Sequence, residues 1–216
     1  MKVTIIYDNT VYVEGLQDDW GFSCLVEVEN APKILFDTGT SGSILLSNMK
    51  ELNIDPSSID EIFISHAHFD HIGGLSRFLE INHDVIIYMP PSFRGVRGVK
   101  ERIYVSGALK IHENVFSTGE LDNIEQTMVV KTDKGTVLIA GCSHPEMEHI
   151  LEAASQFGKP YGIIGGLHGF NQYGLFKGFG LISPTHCTQH KQEIKSLYPK
   201  KYVEGGAGRV IEISVG

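Results

Sequence analysis

A chain of 216 residues that is 42% hydrophobic and 20% charged is ordinary globular material, so one domain over 1–216 with a single sizeable core is expected. The formal charge of −8 argues against a surface that wraps nucleic acid, and no apolar run approaches membrane-spanning length. Cys24, Cys142 and Cys187 are too scattered for a disulfide framework and include no CxxC pair, and the N-terminus runs into strand-like residues without an apolar leader. The expectation is a soluble cytoplasmic protein whose partner is a small molecule, with neither nucleic acid nor membrane involved.

Residues 3–7 are rich in β-branched side chains and read as a strand ending at the turn residues Asp8-Asn9-Thr10. Residues 23–29 and 33–36 read as two more strands, joined by a hairpin turn over 29–32. Asp37-Thr38-Gly39-Thr40-Ser41-Gly42 then leads into an amphipathic helix at 44–52. This loop has neither the Walker lysine pattern nor the dinucleotide fingerprint, so Asp37 is read as a buried, hydrogen-bonded carboxylate.

A strand at 59–64 delivers His66-Ala67-His68-Phe69-Asp70-His71, three imidazoles and a carboxylate within six residues. If the backbone stays extended, His66, His68 and Asp70 project to one side and converge on a metal without a helix. His71 falls off that face and reaches a second metal nearby. Gly73-Gly74 lets the chain turn into a helix at 75–81.

A short strand at 85–88 is followed by 92–107, which carries Arg94, Arg97, Lys100 and Arg102 among glycines with little apolar periodicity. It is read as a loop or short-helix excursion that folds back over the site, with Arg94 and Arg97 gripping an anionic substrate. Strands are expected at 109–111, 115–117, 127–131 and 136–140, then a helix at 147–157, strands at 162–164 and 181–183, a helix at 189–197 and a strand at 209–214. The second half thus repeats the pattern of the first: strands, a strand ending in a His-bearing loop, then a helix. Two mixed sheets covered by outer helices are the layered solution.

His144, His168 and His186 each follow an apolar strand-like run, and such strand-end ligands meet at one edge of a sandwich. His83, His112, His149 and His190 lack that setting and read as surface or capping residues. Cys142 and Cys187 flank proposed ligands and are expected to be packing residues.

The motifs Asp37-Thr38-Gly39, His66-x-His68-x-Asp70-His71, His144 and His186 resemble those of the metallo-β-lactamase fold hydrolases over nearly the whole chain. Gly141-Cys142-Ser143-His144, Gly165-Gly166-Leu167-His168 and Thr185-His186-Cys187-Thr188 resemble the branch that includes the dihydropterin ribofuranosylaminobenzene 5′-phosphate synthases. The resemblance implies an αββα sandwich, an α/β fold. It implies His66, His68 and His144 on one metal, with Asp70, His71 and His186 on another. The usual bridging aspartate is missing and His168 stands near its place, so either His168 fills in or the second metal is held more weakly.

An N,O-rich site suits zinc first, with manganese or iron as alternatives. The expected activity is hydrolysis of a small anionic, phosphorylated substrate by metal-bound hydroxide, with Asp70 orienting the water and His168 protonating the leaving group. The competing readings are a transferase of the pterin synthase type and a sensor that binds metal and ligand without turnover.

Overall fold

The computed structural model describes residues 1–213; position 214, the last of the strand expected at 209–214, lies outside them. In the first half, β1 (Lys2–Tyr7), β2 (Ser23–Glu27) and β3 (Ile34–Phe36) form an antiparallel meander. After α1 (Gly42–Glu51), β4 (Glu61–Phe63) joins β3 in parallel. Two short helices, α2 (Phe69–Ile72) and α3 (Leu75–Leu79), lead to β5 (Ile86–Met89) and β6 (Glu101–Tyr104), both parallel additions.

The second half is built the same way. An antiparallel run of β7 (Leu109–His112), β8 (Val115–Ser117), β9 (Met128–Thr132) and β10 (Gly135–Ala140) precedes α4 (Met147–Ser155). The parallel strands β11 (Pro160–Gly166) and β12 (Leu181–Thr185) follow, then α5 (Lys191–Leu197). The last strand, β13 (Val210–Glu212), crosses back to pair with β1. The sheets read β13-β1-β2-β3-β4-β5-β6 and β12-β11-β10-β9-β8-β7. The repeat of pattern in the sequence is therefore a repeat of topology.

Strand alternation explains the layers. Ile5, Phe36, Val137 and Ile139 point inward and build the core between the sheets. Their neighbours Ile6 and Leu35 point outward and are covered by Leu45 and Met49 of α1 and Phe78 of α3. Leu138 and Ile163 point to the opposite outer face, under Ile150 of α4 and Ile194 of α5. The result is the expected helix-sheet-sheet-helix sandwich.

Two local expectations are corrected. The chain does not stay extended through the histidine cluster: β4 ends at Phe63, His68 caps α2, and Asp70 lies in that helix's first turn. Asp70 therefore turns away from His66 and His68. Within 92–107, Glu101–Tyr104 is a strand rather than a loop, and the Arg102 guanidinium donates to Val96 O at 2.9 Å. As an edge strand, paired to one neighbour among the described residues, it needs little apolar periodicity.

Candidate metal centre

The parallel strands β3, β4, β10, β11 and β12 all finish at one edge, where their carboxyl ends present Asp37, His66, His144, His168 and His186. Asp37, Ser143, His168 and His186 have φ values of 53°, 56°, 46° and 44°. Non-glycine residues rarely hold this left-handed conformation, and its cost is typically about 1–3 kcal/mol each. Four such reversals at one sheet edge mark where the fold spends stability to aim side chains.

The first group is His66, His68 and His144. His66 Nε2 and His144 Nε2 each lie 3.1 Å from His68 Nδ1. On the far side of the His66 ring, Nδ1 donates to Ser65 Oγ at 2.9 Å, and that hydroxyl donates to Asp37 Oδ2 at 2.6 Å. This chain fixes the tautomer that leaves Nε2 with its lone pair toward the group. Two tetrahedral zinc ligands at the usual Zn–N distance sit about 3.3 Å apart, so the observed spacing fits one cation. Burial and the neighbouring imidazoles of His71, His144 and His68 hold His66 well below the usual histidine range. Burial, His68 and His168 pull His144 down to about 4. Both are neutral at neutral pH, the state that metal ligation requires.

The second group is Asp70, His71 and His186. His71 Nδ1 donates to Asp37 Oδ2 at 2.7 Å, which turns its Nε2 to within 3.9 Å of Asp70 Oδ2. His186 Nδ1 donates to Asn9 Oδ1 at 2.9 Å, and its Nε2 lies 3.2 Å from Asp70 Oδ2. That Nε2 is buried without a hydrogen-bond partner among the described residues. A buried imidazole nitrogen that faces a carboxylate without a well-formed hydrogen bond is the arrangement a cation would satisfy. Burial pushes Asp70 up, but the imidazoles of His186 and His71 outweigh it and hold the carboxyl well below its usual range. Trp20 Nε1 donates to the same Asp70 oxygen at 2.9 Å, while its ring meets His186 edge-on at 5.1 Å.

Several of these supports carry no motif. Glu125, fully buried, accepts from the backbone N–H groups of Gly141, Cys142, Ser143 and His144 at 2.9–3.1 Å. Beside it, Gln126 bonds Ser65 O and Ile64 O at 2.9 and 2.8 Å. Two consecutive side-chain anchors thus tie the loop of His144 to the strand end of His66. Their signal in the sequence is only two polar residues before a strand. Asp8 likewise accepts from His186 N at 2.8 Å.

His168 stands outside both groups, its ring centroid 5.1 Å from that of His144. With His144, Glu146, Leu167, Phe170 and Gln172 it lines a cleft of about 340 Å³. Arg94 and Arg97 are not brought to the cluster. They line a separate hollow of about 590 Å³ with Ile72, Leu75, Leu79 and His83, and none of the six ligand candidates borders it among the described residues. The remaining histidines belong to neither group: His112 pairs with Glu61 at 2.8 Å, His149 with Asp122 at 3.2 Å and His190 with Glu193 at 3.6 Å.

Known proteins share this fold. Residues 21–107 match the profile of the metallo-beta-lactamase superfamily. Over 97% of its length the chain is 30% identical to 95% of the 7,8-dihydropterin-6-methyl-4-(beta-D-ribofuranosyl)-aminobenzene-5'-phosphate synthase of Methanocaldococcus jannaschii. The crystal structure of Tm1679, a metal-dependent hydrolase of the β-lactamase superfamily, matches with a TM-score of 0.81 at 23% identity, covering 99% of both chains. Human tRNase Z, short form, matches with a TM-score of 0.66 at 16% identity over the whole of both chains. The chain belongs to the metallo-β-lactamase superfamily. No helix among the described residues is long and apolar enough to cross a membrane.

Proposed function

We propose that the chain is a metal-dependent hydrolase acting on a small anionic, phosphate-bearing substrate. The observation that carries this reading is the pair of adjoining ligand groups, one of which opens through His144 into the cleft lined by His168. His66, His68 and His144 would hold one divalent cation and Asp70, His71 and His186 a second. Zinc suits the donors best, with manganese or iron as alternatives. Cations held there would supply Lewis-acid polarisation and water activation near neutral pH.

The chain's own groups account for the rest. Asp70, ionised and pinned by the Trp20 indole, orients the attacking water. His168, on the cleft wall beside His144, donates a proton to the leaving group. Similarity to a synthase named for a 5′-phosphate supports a phosphate-bearing substrate. The same similarity over almost the full length favours a second reading, in which this centre serves group transfer instead of hydrolysis.

The deciding experiment assays zinc-loaded protein against phosphodiester, phosphomonoester, lactone and thioester substrates and in the synthase reaction. The expected result is phosphoester turnover, lost in His68→Ala together with at least one metal equivalent. Turnover in the synthase reaction alone selects the second reading. Full metal content with no turnover in any assay overturns both and leaves a non-catalytic binding protein.

A further inference from the structure

Each ligand group offers three donors, and a tetrahedral cation with three protein ligands has one position left. A single sulfur lies within reach of both groups. Cys142 Sγ is 3.2 Å from His71 Nε2. It shares one cluster with His66 and His71 and another with His186 and Cys187, each with all its donor atoms within 4.8 Å of one another. Cys142 is thus close to a ligand of the first group, His66, and to two of the second, His71 and His186.

The backbone explains how a thiol comes to be there. Cys142 belongs to the loop held by Glu125, so its place follows from the same four hydrogen bonds that place His144. The neighbouring strand end of β11 sends no carboxylate into this space. Gly166 has no side chain, and a Cβ there would meet Cys187 Sγ at 2.8 Å and Cys142 Cα at 3.1 Å. Leu167 turns into the core beneath α4, and His168 turns to His144. The two cysteines fill the volume that a β11 side chain would need.

A thiol hydrogen bond to His71 explains the 3.2 Å contact by itself. It does not explain why the sulfur also lies close to His66 and His186, nor why the buried His186 Nε2, which faces Asp70 Oδ2 at 3.2 Å, forms no well-formed hydrogen bond among the described residues. We propose that Cys142 Sγ is a metal ligand shared by the two groups, a thiolate where a carboxylate would otherwise bridge them. The competing expectation is that Cys142 only packs, and the proposal rests on the reading of both groups as metal sites. Ligation transfers a sulfur lone pair to the cation and releases the thiol proton to water, so no oxidant or other reactant is required. A thiolate also biases the centre toward zinc and away from manganese and magnesium.

The test loads reduced, metal-free protein with cobalt(II) and records the near-ultraviolet thiolate-to-cobalt charge-transfer band. The band is expected in the wild type and in Cys187→Ser, and is expected to be absent from Cys142→Ser. A band lost in Cys187→Ser and kept in Cys142→Ser overturns the assignment in favour of the other thiol. Because Cys142→Ser is a buried change, X-ray absorption of the zinc-loaded wild type gives a second readout. Sulfur at about 2.3 Å supports the proposal, and a shell of nitrogen and oxygen alone at about 2.0–2.2 Å overturns it. Bound metal without a sulfur signal defeats the thiolate and leaves the metal centre standing. Failure to bind metal at all defeats both.

Discussion

The Oδ2 atom of Asp37 accepts a hydrogen bond from His71 Nδ1 at 2.7 Å, between two side chains with no solvent exposure. The same carboxylate accepts from Ser65 N at 2.7 Å and Ser65 Oγ at 2.6 Å, and through Ser65 it reaches His66. One buried carboxylate therefore sets the ring orientation of a histidine in each ligand group. It explains why a residue outside both donor groups sits in a left-handed backbone conformation at the end of β3.

Replacing Asp37 with Asn keeps the shape but puts an amide N–H₂ where every partner is a donor. Losing an outer hydrogen-bond partner of this kind typically weakens metal binding about 10–100-fold. Competition against a chelator should show that loss at both sites. Unchanged affinity would mean that His66 and His71 are oriented by packing alone. The Ala variant, which strands three buried donors, should cost about 3–5 kcal/mol in unfolding free energy.

Glu125 offers a separate test, because it holds backbone rather than ligands. In Glu125→Gln one side-chain oxygen becomes a donor facing N–H groups, and each buried donor left unpaired costs about 1–3 kcal/mol. Amide exchange over Gly141 to His144 should accelerate, and cobalt bound at the first group should lose affinity. Exchange identical to the wild type would show that the loop is held by its neighbours.

Much of this was readable in advance, for identifiable reasons. Every ligand candidate sits in a dense polar pattern or directly after an apolar strand, so His66, His68, Asp70, His71, His144 and His186 stood out, and the layers followed from strand order. What stayed hidden depends on contacts between distant parts of the chain. Glu125 meets residues 16 to 19 positions away and Trp20 meets Asp70 across 50 positions, and neither leaves a local pattern. The helix at Phe69–Ile72 was missed because a four-residue helix has no period to detect. Cys142 reads as packing in the sequence because cysteine usually packs, and its sulfur's place beside His71, the ground of the thiolate proposal, depends on a contact across 71 positions.

Gly141 packs directly against Ser65 and His66 of the first half. A Cβ there would overlap Ser65 Oγ and come within 3.0 Å of His66 Nδ1. Neither neighbour can yield freely, since Ser65 is bonded to Asp37 and His66 is committed to its group. Gly141→Ala should therefore reduce metal stoichiometry toward one per chain while the far-ultraviolet circular dichroism stays that of the wild type. Two metals bound with wild-type affinity would show that the loop can shift to accept the methyl group.

His168 carries the last prediction, which separates three roles. As the proton donor to the leaving group it should contribute about 10²–10⁴-fold to turnover, so His168→Gln should lower kcat by that order while KM and metal content hold. The loss should shrink for a substrate whose leaving group needs no proton, such as a nitrophenolate, because the missing acid then has no work to do. A fall in metal content would instead make His168 a ligand, despite its place outside both donor groups. An equal loss for good and poor leaving groups would make it a positioning residue, acting through its contact with the ring of His144 at 5.1 Å. Only the leaving-group dependence belongs to an acid, and that is the outcome its position on the cleft wall leads us to expect.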